Sequence, residues 1–287
     1  MIASAVGVLF DGFAYGMLLF LLSVGLSVTL GMMNFVNLAH CSFAMLGGYV
    51  AITLMNAFGW PFLATLPVAF IAAAAASVVL ERVFFRRFYN ASDLDQCLLT
   101  IGIVFVSIAT AAYIYGTDQQ PMQLPPYLRG SIAFMGLALP VYRLFLIGTA
   151  LLITIALVAT VETTRFGAQV RAAVNNQRMA RGLGINVDGL FAATFALGSG
   201  LAGLGGALAI AMLGLDPQFA LTYLIYVLIV VSVGGLGSIS GSFAAAMLLG
   251  FSDMAGKYYV PSIGAFLIYL VMIVLLMWRP SGLFGRR

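Results

Sequence analysis

The feature that most constrains this chain is a series of long apolar runs that are almost free of charge. The run FLATLPVAFIAAAAASVVL (62–80) is typical of them. Only 8% of all residues are charged, whereas a soluble domain carries about 25%, so the chain cannot cover a surface that faces water. Strands of a membrane barrel alternate apolar and polar residues, and these runs do not alternate. We therefore predict an all-α, polytopic membrane protein.

Nine hydrophobic segments can be recognised, and most approach the ~20 residues that cross ~30 Å of hydrocarbon. The seventh and eighth are short, and GGLGSISG (234–241) separates them. Another break, GMMNFVNLAHCSFAMLGGY (31–49), follows the first segment. We expect a single transmembrane domain over 1–287, with eight or nine segments and two broken or re-entrant regions. The segments cover approximately residues 9–30, 39–57, 61–80, 96–116, 141–161, 189–212, 221–234, 241–256 and 263–278.

The placement of basic residues predicts the orientation, because Lys and Arg are enriched in cytoplasmic loops. With alternating crossings, ten arginines share one face and three basic residues share the other. The N-terminus is then outside, the C-terminus is cytoplasmic, and the proline-containing loop 117–140 is external and not helical. The ten are Arg82, Arg86, Arg87, Arg165, Arg171, Arg178, Arg181, Arg279, Arg286 and Arg287, and the three are Arg129, Arg143 and Lys257.

The first break contains the polar residues Asn34, Asn37, His40 and Ser42. Polar groups at membrane depth are costly unless they find partners or line a wet cavity. One interpretation is that an asparagine caps the second hydrophobic segment. The other is that these residues line the substrate pathway, as broken helices do in transporters.

The second break contains Gly234, Gly235, Gly237 and Ser238. The spacing does not match a dinucleotide-binding fingerprint, and no strand precedes it. It is either a tight turn between two hydrophobic segments or non-helical backbone that borders a cavity. In the second case these residues belong to the substrate pathway.

The sixth segment contains Gly198, Ala202 and Gly206 at a spacing of four residues. This spacing places small side chains on one stripe of a helix, where a second helix can approach closely. We interpret the stripe as a packing surface.

The segment 162–190 is the only long polar stretch between two hydrophobic segments. Its apolar residues follow helical spacing, and glycines end the pattern, so we predict one short amphipathic helix. Such a helix lies on anionic lipid or docks into a groove of a partner protein. Its candidate contact residues are Arg165, Phe166, Val170, Arg171, Val174, Arg178, Arg181 and Gly184.

Motifs of catalysis are missing from the sequence. It has no P-loop and no G-x-S-x-G elbow, so any ATP must be hydrolysed by another subunit. One histidine and two cysteines do not suggest a metal site. The membrane topology accounts for the basic residues, so they do not indicate binding to nucleic acid. Asp11 and Asp253 are isolated acids, which disfavours an ion-coupled carrier. A passive channel and a membrane scaffold remain as rivals, and we expect no enzyme and no cofactor in this chain.

Three motifs resemble those of LivH-type permeases, the membrane subunits of branched-chain amino acid ABC importers. They are GLSVTLGMMNFVNLAHCSFAMLGGYVA (25–51), TRFGAQVRAAVNNQRMARGLGINVDGLFAATFALGSGLAGLGGALA (164–209) and VGGLGSISGSFAAAMLLG (233–250). The resemblance implies a permease of the inner membrane with the N-terminus in the periplasm. It also implies a second, LivM-type permease or a second copy, two cytoplasmic ATPases and a periplasmic binding protein as partners. Segment 165–188 then docks the ATPase.

One departure from the family pattern concerns the solute. Many relatives carry a glycine and an acid after the histidine, where this chain has Cys41 and Ser42. Without that acid, a zwitterionic amino acid is less favoured as the solute, and an anionic or neutral solute is more favoured. Members of the family are also associated with urea, amides and aromatic or other organic acids, and these are the alternatives to branched-chain amino acids.

Overall fold

The structure is a computed structural model that describes residues 2–33, 35–89, 91–134 and 137–285. Over these ranges the chain forms eleven α-helices and one two-stranded hairpin. Short 3-10 helices lie at Phe85–Phe88 and Pro126–Leu128. The α-helices are α1 (Ile2–Met33), α2 (His40–Phe58), α3 (Phe62–Val83), α4 (Asp93–Tyr115), α5 (Val141–Thr163), α6 (Arg165–Asn175), α7 (Gln177–Gly182), α8 (Val187–Leu213), α9 (Phe219–Gly234), α10 (Ile239–Tyr259) and α11 (Gly264–Trp278).

Nine of these helices correspond to the nine predicted segments, which confirms the all-α polytopic architecture. Among the described residues, seven helices are long and apolar enough to cross a membrane, and α9 and α11 are shorter. The prediction of a short eighth segment is wrong, because α10 has 21 residues. The Ser238 hydroxyl caps its start by accepting from the Gly241 amide at 3.0 Å. Near its end, Lys257 donates to Asp253 one turn earlier at 2.6 Å, so the helix continues through these charges.

The predicted external loop contains more regular structure than its prolines suggest. Strands β1 (Ser131–Phe134) and β2 (Leu137–Pro140) pair antiparallel, with Ser131 opposite Pro140. The backbone amide of Gln120 donates to the Leu215 carbonyl at 2.8 Å and ties the loop to the end of α8. We call this end of the bundle the hairpin end.

Helix α1 is the centre of the bundle, and its residues from Met17 to Leu22 are fully buried. Helix α10 runs antiparallel along it. The Ser242 hydroxyl, in the first turn of α10, donates to Ser27 at 2.9 Å. Gly16 meets Gly250 towards the hairpin end, with no room for a Cβ between the backbones. Small residues therefore bring the two helices into backbone contact.

The small residues of α8 lie in helix–helix contacts. A Cβ at Gly198 would lie 2.8 Å from the Gly25 carbonyl oxygen of α1. A Cβ at Gly206 would overlap the Ala44 carbonyl of α2. Ala202, between them, is fully buried. The stripe predicted from the sequence is thus the surface along which α8 meets α1 and α2.

The end opposite the hairpin collects most of the described arginines, and we call it the arginine end. Arg86, beside α3, donates to Asp188 in the first turn of α8 at 2.6 Å. Arg143 pairs with Asp11 at the hairpin end instead. The described basic residues therefore divide between the ends as the sequence predicts. Arg286 and Arg287 lie outside the described residues.

The tight contact of α8 with α2 gives a stability prediction. Gly206→Ala should lower the free energy of unfolding by about 1–3 kcal/mol, because the added methyl group overlaps the Ala44 backbone and the helices must separate. Thermal unfolding of the purified chain in detergent measures the change. Gly102→Ala is the matched control, since a Cβ there meets nothing within 4 Å. Equal melting temperatures for the two variants would contradict the packing described here.

Candidate functional site

The polar segment 162–190 folds as two helices, so the prediction of one amphipathic helix is wrong. Helix α6 ends at Asn175 and α7 begins at Gln177. The reason is the side chain of Asn176, which accepts from the Met179 amide at 2.9 Å and caps a new helix. Thr164 and Asn186 cap α6 and α8 in the same way. Gly184 ends the pattern with φ +82°, a backbone conformation that favours glycine.

The two helices form a platform that packs on the rest of the chain through a small core of its own. Val170, Ala173 and Ala180 are buried against Val187, Leu190 and Phe191 of α8. Val170 was predicted to contact a partner protein, and this prediction is wrong, because Val170 is buried inside this core. We refer to α6 and α7 together, residues 165–182, as the platform.

The outer face of the platform keeps both apolar and basic groups. Val174 and Met179 are exposed, and Leu183 just beyond α7 is 76% exposed, while Phe166 is half-buried. The arginines at 165, 171, 178 and 181 are also exposed. An exposed apolar group beside several cations is typical of a surface that binds a partner.

Two arginines fasten the platform to neighbouring elements. Arg181 donates to Asp188 at 2.7 Å, and the same carboxylate accepts from Arg86. These groups are about half exposed, so each ion pair contributes only modestly to stability. Arg171 donates to the Val161 carbonyl at the end of α5. The platform is therefore connected to α5 and α8, and through Asp188 to the 3-10 helix that follows α3.

An aromatic chain connects the platform to the first break. Phe191 of the platform core meets Tyr89 edge-to-face at 6.2 Å between ring centroids, and Tyr89 meets Phe35 at 5.6 Å. The Tyr89 hydroxyl donates to Glu81 at 2.7 Å. Burial and the Glu81 carboxylate raise the pKa of Tyr89, so this hydroxyl stays protonated and remains a donor.

Gln96 of α4 connects the first break to the segment between α3 and α4. Its side-chain oxygen accepts from the Val36 amide at 3.0 Å, and its nitrogen donates to the carbonyls of Phe88 and Ala91. Gln96 and Glu81 are both buried, and neither was among the predicted site residues. They lie at the borders of hydrophobic segments, where polar residues usually face water. The sequence offered only a weak signal for them, namely a polar residue at the end of a hydrophobic segment.

The first break leaves α2 starting beside the middle of α1. The His40 ring donates from Nε2 to the Leu22 carbonyl at 3.0 Å, well before α1 ends at Met33. The N-cap of α2 is Ala39, without a side-chain hydrogen bond, so the capping interpretation is wrong for Asn37. Asn34 lies outside the described residues. The N-terminus of α2 therefore lies inside the bundle, level with the middle of α1.

The polar residues of the first break have different environments. Asn37 is buried, and neither side-chain atom of its amide finds a hydrogen-bond partner among the described residues. Nδ1 of His40 also lacks one there. Ser42 accepts from Ser107 of α4 at 2.8 Å and lines an apolar cavity between α2, α3 and α4. The three of these residues that the structure describes, Asn37, His40 and Ser42, share no side-chain hydrogen bond.

The second break borders a cavity at the arginine end. This cavity has a volume of about 410 Å³, and Gly237 and Ser238 line it together with Val170, Arg171 and Val174 of α6. Gly235 and Gly237 have φ of +96° and +78°, which a residue with a side chain rarely adopts. Gly234 packs closely on Gly241 instead. The fold thus brings the second break and the platform together, while Asn37 and His40 do not line this cavity.

No group of three or more metal-ligating side chains occurs in the part of the chain that the structure describes. The polar groups of the site include exposed guanidinium groups, the carboxylates of Asp188 and Glu81, buried side-chain amides and hydroxyls.

Known proteins with similar sequences are membrane transport components. The chain is 26% identical to the permease protein BraD of a high-affinity branched-chain amino acid transport system from Pseudomonas aeruginosa, across 97% of this chain and 95% of that protein. It is 29% identical to a probable branched-chain amino acid transport permease protein LivH from Methanocaldococcus jannaschii, across 94% and 90%. The permease LivM of Escherichia coli is 26% identical across 93% of this chain and 68% of its own length. No solved structure gives a significant match.

A family model described as the branched-chain amino acid transport system / permease component matches residues 8–276. This range includes all eleven α-helices, apart from the first residues of α1 and the last two residues of α11. It also includes both breaks and the platform. The chain therefore belongs to this family of ABC importer permeases.

Proposed function

We propose that this chain is the permease subunit of an ABC importer in which two cytoplasmic ATPases drive transport by pressing on the platform. The solute is a branched-chain amino acid or a related small molecule, delivered by a periplasmic binding protein. One observation supports this most: the exposed platform contacts elements that lead to both breaks. No P-loop is present in the sequence, so ATP is hydrolysed by the partner subunits.

The proposed orientation places the arginine end in the cytoplasm and the hairpin end in the periplasm. The division of basic residues between the two ends supports it, because cytoplasmic loops of inner-membrane proteins carry the excess of Lys and Arg. The ATPases then meet the platform, and the binding protein meets the hairpin end. The chain pairs in the membrane with a LivM-type permease or with a second copy of itself.

The coupling follows the contacts between the platform and the two breaks. A movement of α7 reaches Phe35 through Phe191 and Tyr89, since these rings are in contact. A movement of α6 changes the cavity beside Gly237, because Val170 and Arg171 form part of its wall. ATP can shift the equilibrium between inward and outward states only through contacts that differ between those states.

The docking role of the platform predicts the effect of a charge reversal. Arg178→Glu should weaken the association with the ATPase by about tenfold or more, because it places an acid in an exposed cationic surface. Co-purification of the ATPase with the tagged permease measures the association. The melting temperature should stay unchanged, since Arg178 is exposed.

Arg129→Glu is the matched control for this experiment. It makes the same charge reversal at the hairpin end and should leave the association with the ATPase at the level of the unchanged protein. Full recovery of the ATPase with Arg178→Glu would refute the assignment of the platform.

The Asn37 amide, which has no hydrogen-bond partner among the described residues, gives another prediction. Asn37→Leu should raise stability by about 1 kcal/mol, because an unsatisfied buried amide is replaced by an apolar group of similar size. If the amide finds its partner only when the first break opens, the same variant should slow ATP-driven uptake into proteoliposomes. Asn56→Leu, in the exposed last turn of α2, should change neither quantity. Uptake at the normal rate with Asn37→Leu would remove Asn37 from the proposed pathway.

A further inference from the structure

A second large cavity lies at the hairpin end, on the opposite side of the bundle from the cavity beside Gly237. Its volume is about 470 Å³, which is within the range of about 300–1,000 Å³ for small-molecule sites. Helices α1, α5, α8, α9 and α10 contribute to its wall. Along α1, the fully buried residues Met17 to Leu22 lie between Tyr15, which lines this cavity, and Val28, which lines the other.

The wall of this cavity carries positive charge and no acid. Arg143 and Lys257 line it, and no Asp or Glu is among its lining residues. Each cation has an acidic partner behind the wall: Asp11 pairs with Arg143, and the buried Asp253 accepts from Lys257 at 2.6 Å. Arginine has five N–H donors and lysine has three, so donors remain on both side chains for a ligand.

Tyrosine rings form much of the remaining wall. Tyr15, Tyr142, Tyr223 and Tyr226 line the cavity. The Tyr142 hydroxyl is already used, because it donates to the Leu208 carbonyl at 2.5 Å. The Lys257 ammonium lies 5.6 Å from the centroid of the Tyr15 ring, which holds the cation over an aromatic face. The rings offer an apolar surface beside the two cations.

We infer that this cavity binds a small organic carboxylate, with the carboxylate on Arg143 and Lys257 and the apolar body on the tyrosine rings. A free ammonium group finds no carboxylate in the lining to pair with, so the site prefers an anion to a zwitterionic amino acid. That the bound anion is the transported solute rests on the proposed function. The cation donors are shared with Asp11 and Asp253, which keeps the binding weak enough for release.

The test compares three ligands that share one carbon skeleton. They are 4-methylpentanoate, leucine, which adds the α-ammonium group, and 4-methylpentanamide, which has no charge. Binding to the permease complex in phosphatidylcholine nanodiscs is measured by isothermal titration calorimetry. We expect 4-methylpentanoate to bind at least about tenfold more tightly than the amide, which has no carboxylate for the charge-assisted hydrogen bonds. We expect the same difference from leucine, because its ammonium group loses its hydration without gaining an acidic partner in the lining. Leucine or the amide binding as tightly as 4-methylpentanoate would overturn the inference.

Two pairs of variants locate the site. Arg143→Gln should weaken the binding of 4-methylpentanoate about tenfold or more, whereas Arg129→Gln, outside the cavity lining, should not. Tyr226→Leu should weaken it and Tyr258→Leu, also outside the lining, should not. If Arg143→Gln fails to fold, Arg143→Lys keeps the charge and should retain binding. Equal affinities within both pairs would place the anion elsewhere and overturn the inference.

Recovery of the ATPase from the same samples separates this inference from the proposed function. An assembled complex that binds no 4-methylpentanoate contradicts only the anion site. Binding that depends on Arg143 in a chain that recruits no ATPase supports the anion site and contradicts the coupling role of the platform.

Discussion

Backbone contact between glycine-containing helices is the interaction on which the rest of this structure depends. In hydrocarbon, lipid tails are as apolar as leucine, so burial of side chains does not by itself hold helices together. Helix α1 instead meets α8 where Gly25 faces Gly198, and it meets α10 where Gly16 faces Gly250. These contacts fix a buried central helix, and both cavities and both breaks are positioned relative to it.

The platform extends this rigid centre to the surface. It has a separate core with α8, and it is fastened by the carboxylate of Asp188 and by the carbonyl of Val161. Its connection to the interior is aromatic and runs from Phe191 through Tyr89 to Phe35. A surface that holds together as a unit and contacts two irregular segments is suited to transmit a displacement, because packed interiors deform little.

The two breaks satisfy the polar groups of their non-helical backbone in different ways. Non-helical backbone at membrane depth is tolerated only where protein or water satisfies its polar groups. At the first break, Gln96 accepts from the Val36 amide, and the carbonyl of Leu22 accepts from His40. At the second, glycines with positive φ allow the turn, and Ser238 caps the next helix beside a cavity. The first break is thus held by distant side chains, while the second depends mainly on its own residues.

The sequence by itself determined the helical membrane class, the nine hydrophobic segments and the small-residue stripe, because burial in lipid requires long apolar runs and close approach requires small residues. It also located both breaks and the basic segment, since polar residues between apolar runs stand out. The division of the platform at Asn176 is local, because its side chain caps α7 at Met179, three residues further on. Only the tertiary structure decided that Val170 faces inward and that Gln96 reaches Val36. It alone placed Arg143, Lys257 and the tyrosines around one cavity. These features depend on contacts between residues that are far apart in the chain, and such contacts leave no local pattern in the sequence.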